Sequence, residues 1–228
     1  MQSELPAVNI FNIRLDEPVT TLTDVIMAAV CFWAFIRLRR ISGKQKFHHF
    51  LVNFFLLLGA GTFLGGVIGH GFLYLFSPAW RLPGWLASMV SVATIQHASI
   101  LILGKYVSRW TVYILTWHNI FVLTALMVIT SFTQDFIYTM LYISYSLLIV
   151  VGCIHMVIYI KSKARGSIWF LLAVGTGLAG GITFLFKWSL HKWFSNMDLS
   201  HIILVSAVCF FYLGARSFIL DKMGLTLN

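Results

Sequence analysis

The sequence predicts an all-α membrane protein, a single bundle of seven transmembrane helices, with the amino terminus outside and the carboxyl terminus in the cytoplasm. Three observations carry this. Of the 228 residues, 59% are hydrophobic and 10% charged, whereas soluble domains run near a quarter charged. Apolar runs long enough to cross ~30 Å of hydrocarbon, which takes about 20 helical residues, occur seven times. Finally, the basic residues fall mostly on alternate connections, the pattern that orients short loops towards the cytoplasm.

The first 18 residues are polar and have no basic-then-apolar signal-peptide layout, so the amino terminus is expected to be retained and the first run to be a true span. The spans are placed at 19–38, 50–77, 84–104, 110–131, 134–160, 167–187 and 198–220. Between them lie short connections with helix-ending punctuation, such as Ser77-Pro78, Pro83-Gly84 and Arg165-Gly166-Ser167. Residues 1–228 therefore read as one domain with no room for an extramembrane unit.

Twelve of the 16 basic residues lie on one side of the bundle: Arg37, Arg39, Arg40, Lys44, Lys46, Lys105, Arg109, Lys161, Lys163, Arg165, Arg216 and Lys222. The other side has Arg14, Arg81, Lys187 and Lys192. The acids are reversed, with Glu4, Asp16, Glu17, Asp24, Asp135 and Asp198 on the second side and Asp221 alone on the first. Positive-inside orientation then sets the topology and implies a multi-pass integral protein of the plasma membrane, the inner membrane in a bacterium.

Several function classes are set aside by the same residues. The net charge of +9 belongs to loop orientation, and the cluster RLRRISGKQK after the first span suits anionic lipid better than nucleic acid. Cys31, Cys153 and Cys209 are too widely spaced, inside apolar runs, for a disulfide framework or a zinc finger. Gly175, Gly177 and Gly180 form a GxGxxG in mid-span without a preceding strand, so they read as helix packing. The last span lacks the central lysine a retinal pump would need.

Ionisable groups inside spans cost a few kcal/mol and mark sites or pathways. At about 1.5 Å per residue, Asp24 lies roughly 7 Å below the outer end of the first span and His70 roughly 10 Å below that of the second. Asp198 and His201 share a face of the first turn of the seventh. Four acid or imidazole groups thus occupy one outer layer. Beside His70, Gly61, Gly65 and Gly69 recur every fourth residue, a seam along which helix backbones approach closely. Two imidazoles with carboxylates suit zinc: His70, His201 and Asp198 as metal ligands, Asp198 also as a water-orienting base, and Asp24 as general acid/base or support. The competing reading is a hydrogen-bonded polar belt locking the first, second and seventh spans together. His97 and His118, at mid-depth on neighbouring spans, are the minimum for b-type haem or else structural histidines. His155 and Arg216 read as interfacial, snorkelling groups.

Seven spans with almost no loops, His70 near the end of the second and His201 at the start of the seventh resemble the superfamily of alkaline ceramidases and adiponectin-receptor-like proteins. That resemblance implies a zinc-dependent intramembrane lipid amide or ester hydrolase, with zinc held by histidines of the second and seventh spans. The superfamily's serine four residues before the first histidine is Gly66 here, and its second histidine of the seventh span is replaced by Met197 or Val205. Membrane lipids are the expected partners. The alternatives are a non-catalytic lipid-binding or interaction protein and a haem-bearing electron carrier.

Overall fold

The computed structural model describes residues 6–191 and 193–221; Glu4, Lys192 and Lys222 lie outside them. Seven helices are long and apolar enough to cross a membrane, and the chain is a multi-pass integral membrane protein. They are α1 (Pro18–Ile41), α2 (Lys46–Gly71), α3 (Leu82–Leu103), α4 (Arg109–Thr133), α5 (Phe136–Ser162), α6 (Arg165–Leu185) and α7 (Asn196–Asp221). Each extends or trims its expected span by a few residues, except at the end of the second.

There the expected helix to residue 77 stops at Gly71. Its last turn, Gly65–Gly71, is π-helical, and the Phe72 N–H reaches back five residues to the Val67 carbonyl at 2.9 Å. Five of the residues from 65 to 71 are not β-branched, and four of those are glycine, so little side-chain bulk opposes the wider turn. Short 3₁₀ turns at Leu73–Leu75 and Pro78–Arg81 carry the chain into α3. A second π turn, Tyr145–Val151, interrupts α5. Such turns are uncommon and often mark functional positions.

The leading segment holds structure that its polar composition did not announce. Strands β1 (Ala7–Ile10) and β2 (Ile13–Asp16) form an antiparallel hairpin. Phe11 and Asn12 have positive φ, as a two-residue turn of this twist requires. The hairpin caps the end of α2: Leu15 lies where a Cβ on Gly71 would stand, at 2.9 Å, and Arg14 bonds Asp16 at 2.7 Å while lying over the Tyr74 ring.

In the bundle α1 packs between α2 and α7, α3 lies against α2, and α6 against α7. Small residues set the closest approaches. Gly61 and Gly84 bring α2 and α3 together, a Cβ on Gly61 falling 3.0 Å from the Gly84 carbonyl oxygen and one on Gly84 falling 3.0 Å from the Gly65 nitrogen. Phe170 and Phe218 fill the space left by Gly214 and Gly166 between α6 and α7. Of the GxGxxG glycines only Gly180 packs, against Leu204; Gly175 and Gly177 meet nothing. The apolar core runs through α1, α2, α3, α5, α6 and α7. Helix α4 is peripheral, and Asn119 and Thr130 are its buried residues.

One expectation is corrected outright. His155 is fully buried, not interfacial. Its ring lies 4.0 Å from that of Phe170, with Nε2 3.0 Å from Ser99 Oγ on α3 and Nδ1 3.1 Å from Ser167 Oγ on α6. Because the Ser99 hydroxyl already donates to the Ile95 carbonyl, it accepts from Nε2–H, and Nδ1 accepts from Ser167. Its position in the sequence places it near one end of α5; the direction in which the side chain points is a tertiary property. Arg216 is exposed near the end of α7, as expected.

Candidate functional site

Glu17, just before α1, and Thr20, Thr21 and Asp24 on it form a polar stripe, and all four are buried. These residues meet α2 on one side and α7 on the other.

Towards α2, the Glu17 carboxylate accepts from His70 Nδ1 at 3.0 Å. Glu17 sits just before α1 with φ of 42°, and its N–H is held by the Pro6 carbonyl at 2.8 Å, so the hairpin fixes its direction. Below this pair, Asp24 lies against Gly66. A Cβ at Gly66 would stand inside contact distance of the Asp24 Cβ, so Asp24 requires a residue without a side chain there. Gly66, outside the Gly61–Gly65–Gly69 series, admits α1 at Asp24, as Gly59 does at Cys31 and Phe32 and Gly71 at Thr21. Of that series, a Cβ on Gly65 would point into open space and one on Gly69 would meet the Arg81 side chain.

Towards α7, His201 Nδ1 lies 3.1 Å from Thr23 Oγ1 and 3.6 Å from Asp24 Oδ1. The Thr23 hydroxyl donates to the Thr20 carbonyl at 2.9 Å, so it accepts from Nδ1–H. The longer contact with Asp24 is an electrostatic one. Both imidazoles therefore carry their proton on Nδ1, and among the described residues neither Nε2 has a hydrogen-bonding partner.

Asp198 uses both oxygens. Thr20 donates to Oδ1 at 2.7 Å and the Ser195 N–H to Oδ2 at 2.6 Å, while Ser195 Oγ lies 3.4 Å from the Asp198 nitrogen. Ser195 and Asp198 thus form a reciprocal capping box at the start of α7. That motif, Ser-x-x-Asp before an apolar run, stands in the sequence, as does the polar stripe of α1; together they would have indicated Glu17, Thr20 and Ser195 as members of the site.

The groups are mutual neighbours. Asp24 lies within electrostatic reach of His70, Asp198 and Glu17, and His201 within that of His70 and Asp198. Yet among the described residues no three His, Cys, Asp or Glu side chains converge as ligands of one ion. The donor set as arranged offers two free imidazole nitrogens and no third ligand, so it does not fit a catalytic zinc, which takes three. The mid-depth histidines turn to different neighbours: His97 packs on Phe50 of α2 with ring centroids 4.4 Å apart, and His118 Nε2 pairs with Tyr145 of α5 at 3.1 Å.

A model of a family of unknown function, DUF6962, matches residues 19–219, and the chain belongs to that family. The match takes in all seven helices and nearly the whole polar centre, leaving out the hairpin and Glu17. No curated protein and no solved structure matches the chain.

Proposed function

We propose that this member of a family of unknown function is a non-catalytic seven-helix membrane protein that associates with membrane lipids, and that its acid–imidazole layer is a lock holding α1 between α2 and α7. The observation that carries this reading is that three of the four expected site residues already hold hydrogen bonds within the layer, while the fourth, Asp24, lies 3.6 Å from His201. His70 holds Glu17, His201 holds Thr23, and Asp198 holds both Thr20 and its own helix cap. Interhelical polar bonds of this kind contribute about 0.6–2 kcal/mol each in a bilayer. The basic residues gathered where α1, α3, α5 and α7 end support a cytoplasmic carboxyl terminus, an outer position for the lock, and residence in a plasma or inner membrane.

One observation favours the zinc-dependent lipid hydrolase as a second reading. An imidazole whose Nδ1–H is held by an oxygen acceptor while Nε2 stays free is oriented as metal-bound histidines are. Two such donors fall short of the three a catalytic zinc needs, and no reaction step follows from them.

Elemental analysis of the full chain, purified without chelator, tests the choice. The lock predicts well under one equivalent of transition metal, with His201→Ala lowering thermal stability. One equivalent of zinc, lost in His201→Ala and kept in Asp24→Asn, would overturn the lock and establish the metal centre.

A further inference from the structure

Two grooves open at the end of the bundle opposite the lock, and they are built alike. The first, of about 610 Å³, lies where α2 begins, α3 ends and α4 begins; Lys105 and Arg109 line it together with Phe47, Leu101, Val112 and Tyr113. The second, of about 460 Å³, lies between the start of α6 and the end of α7, with Arg165 and Arg216 over Ile168, Trp169 and Leu213, and Ser217 beside them. Each therefore joins two cations to an apolar, aromatic wall that continues into the bilayer.

Among the described residues none of the four cations forms an ion pair. Among the described residues, the Arg14–Asp16 ion pair and the acid–imidazole contacts Glu17–His70 and Asp24–His201 all lie at the other end, and Asp221 is the only acid near the grooves. Arg109 and Arg165 also stand at the first residues of α4 and α6, where the helix dipole adds positive potential and disfavours a cation. Two like charges, one of them at a helix N-terminus, left unpaired over a lipid-facing apolar wall, call for an external anion with an apolar body. A phosphodiester with acyl chains has that chemistry, and basic pockets between helices are suited to such headgroups.

We propose that each groove holds one anionic glycerophospholipid, its phosphate between the two cations and its acyl chains along the apolar wall. The inference does not depend on whether the polar centre at the other end is a lock or a metal site, since no residue is shared.

The test is native mass spectrometry of the full chain in neutral detergent, titrated with phosphatidylglycerol, phosphatidylcholine or inorganic phosphate. Two phosphatidylglycerol molecules should bind, about tenfold or more tighter than phosphatidylcholine, because each basic residue near a lipid phosphate contributes about 1 kcal/mol. Lys105→Gln with Arg109→Gln should remove one of them, and Arg165→Gln with Arg216→Gln the other. Arg37→Gln with Arg40→Gln, exposed at the same end but outside both grooves, should leave both bound; all these positions are exposed, and a thermal melt checks that each variant folds. Equal affinity for the two lipids would overturn the proposal. So would two lipids retained in both groove variants, or a loss as large in Arg37→Gln with Arg40→Gln, which would mean diffuse charge. Displacement of the lipid by inorganic phosphate would mean a free-phosphate site instead.

Discussion

His155 and His201 are both imidazoles that bridge helices, and they are built from opposite materials. His155 is fully buried among α3, α5 and α6, packed against the Phe170 ring and held by two neutral hydroxyls. His201 lies at the first turns of α7, beside Thr23 and a carboxylate, in a layer that also contains Glu17, His70 and Asp198. A bridge made of neutral donors and acceptors adds no unpaired charge to a dry core, where a bare charge would be costly. A layer near the membrane surface tolerates charge and can use carboxylates, at the expense of the specific neighbours each one needs. The core bridge should therefore act mainly through packing, and the layer at the end of the bundle through polar partners.

Breaking the core bridge should have the largest effect. His155→Ala removes a buried ring and leaves the Ser99 and Ser167 hydroxyls without it. A loss of about 3 kcal/mol is expected from the cavity and the lost bonds, read as a lowered melting temperature in detergent.

The second test concerns the approach of α1 to α2. Gly66→Ala drives a methyl group into the Asp24 Cβ, which belongs to the stiff part of that side chain. Overpacking there should cost about 1–3 kcal/mol, whereas Gly65→Ala, one residue away with nothing near its Cβ, should cost far less. Equal costs would mean that α1 and α2 are not in contact at Asp24.

A smaller effect sharpens the comparison. Glu17→Gln and His70→Gln, singly and together, form a double-mutant cycle whose coupling energy should be about 1 kcal/mol. The same cycle on Asp24 and His201, 3.6 Å apart, should give a smaller coupling. The smallest change is expected for Thr23→Val, which removes the acceptor of His201 Nδ1 but keeps the shape; a loss of about 0.6 kcal/mol by thermal melt is the expected size for one interhelical bond in a membrane.

Much of this architecture is legible from residue order alone. Hydropathy places all seven helices because lipid admits only segments that satisfy their own backbone. The rise per residue puts Asp24, His70, Asp198 and His201 in one layer. What residue order left out is direction around each helix and the local chain path. Position along α5 does not say which way His155 points, so residue order suggests the interface where the fold buries the ring. Glu17 was counted as a charge and not as a site residue, because its reach to His70 depends on a hairpin and a left-handed residue. The π turn at Gly65–Gly71 shifts His70 relative to a regular helix, and a periodic reading has no means of anticipating it.

By itself, then, the sequence determined a membrane bundle of seven helices, its charge asymmetry and the depth of its polar groups, because each follows from composition and from distance along a chain segment that must cross lipid. Only the tertiary structure decided that Glu17 meets His70, that Asp198 is taken up by Thr20 and the cap of α7, and that His155 joins Ser99 to Ser167. Those pairings depend on the rotation and spacing of helices, which small residues such as Gly61, Gly66 and Gly84 set through contacts between segments distant in the chain.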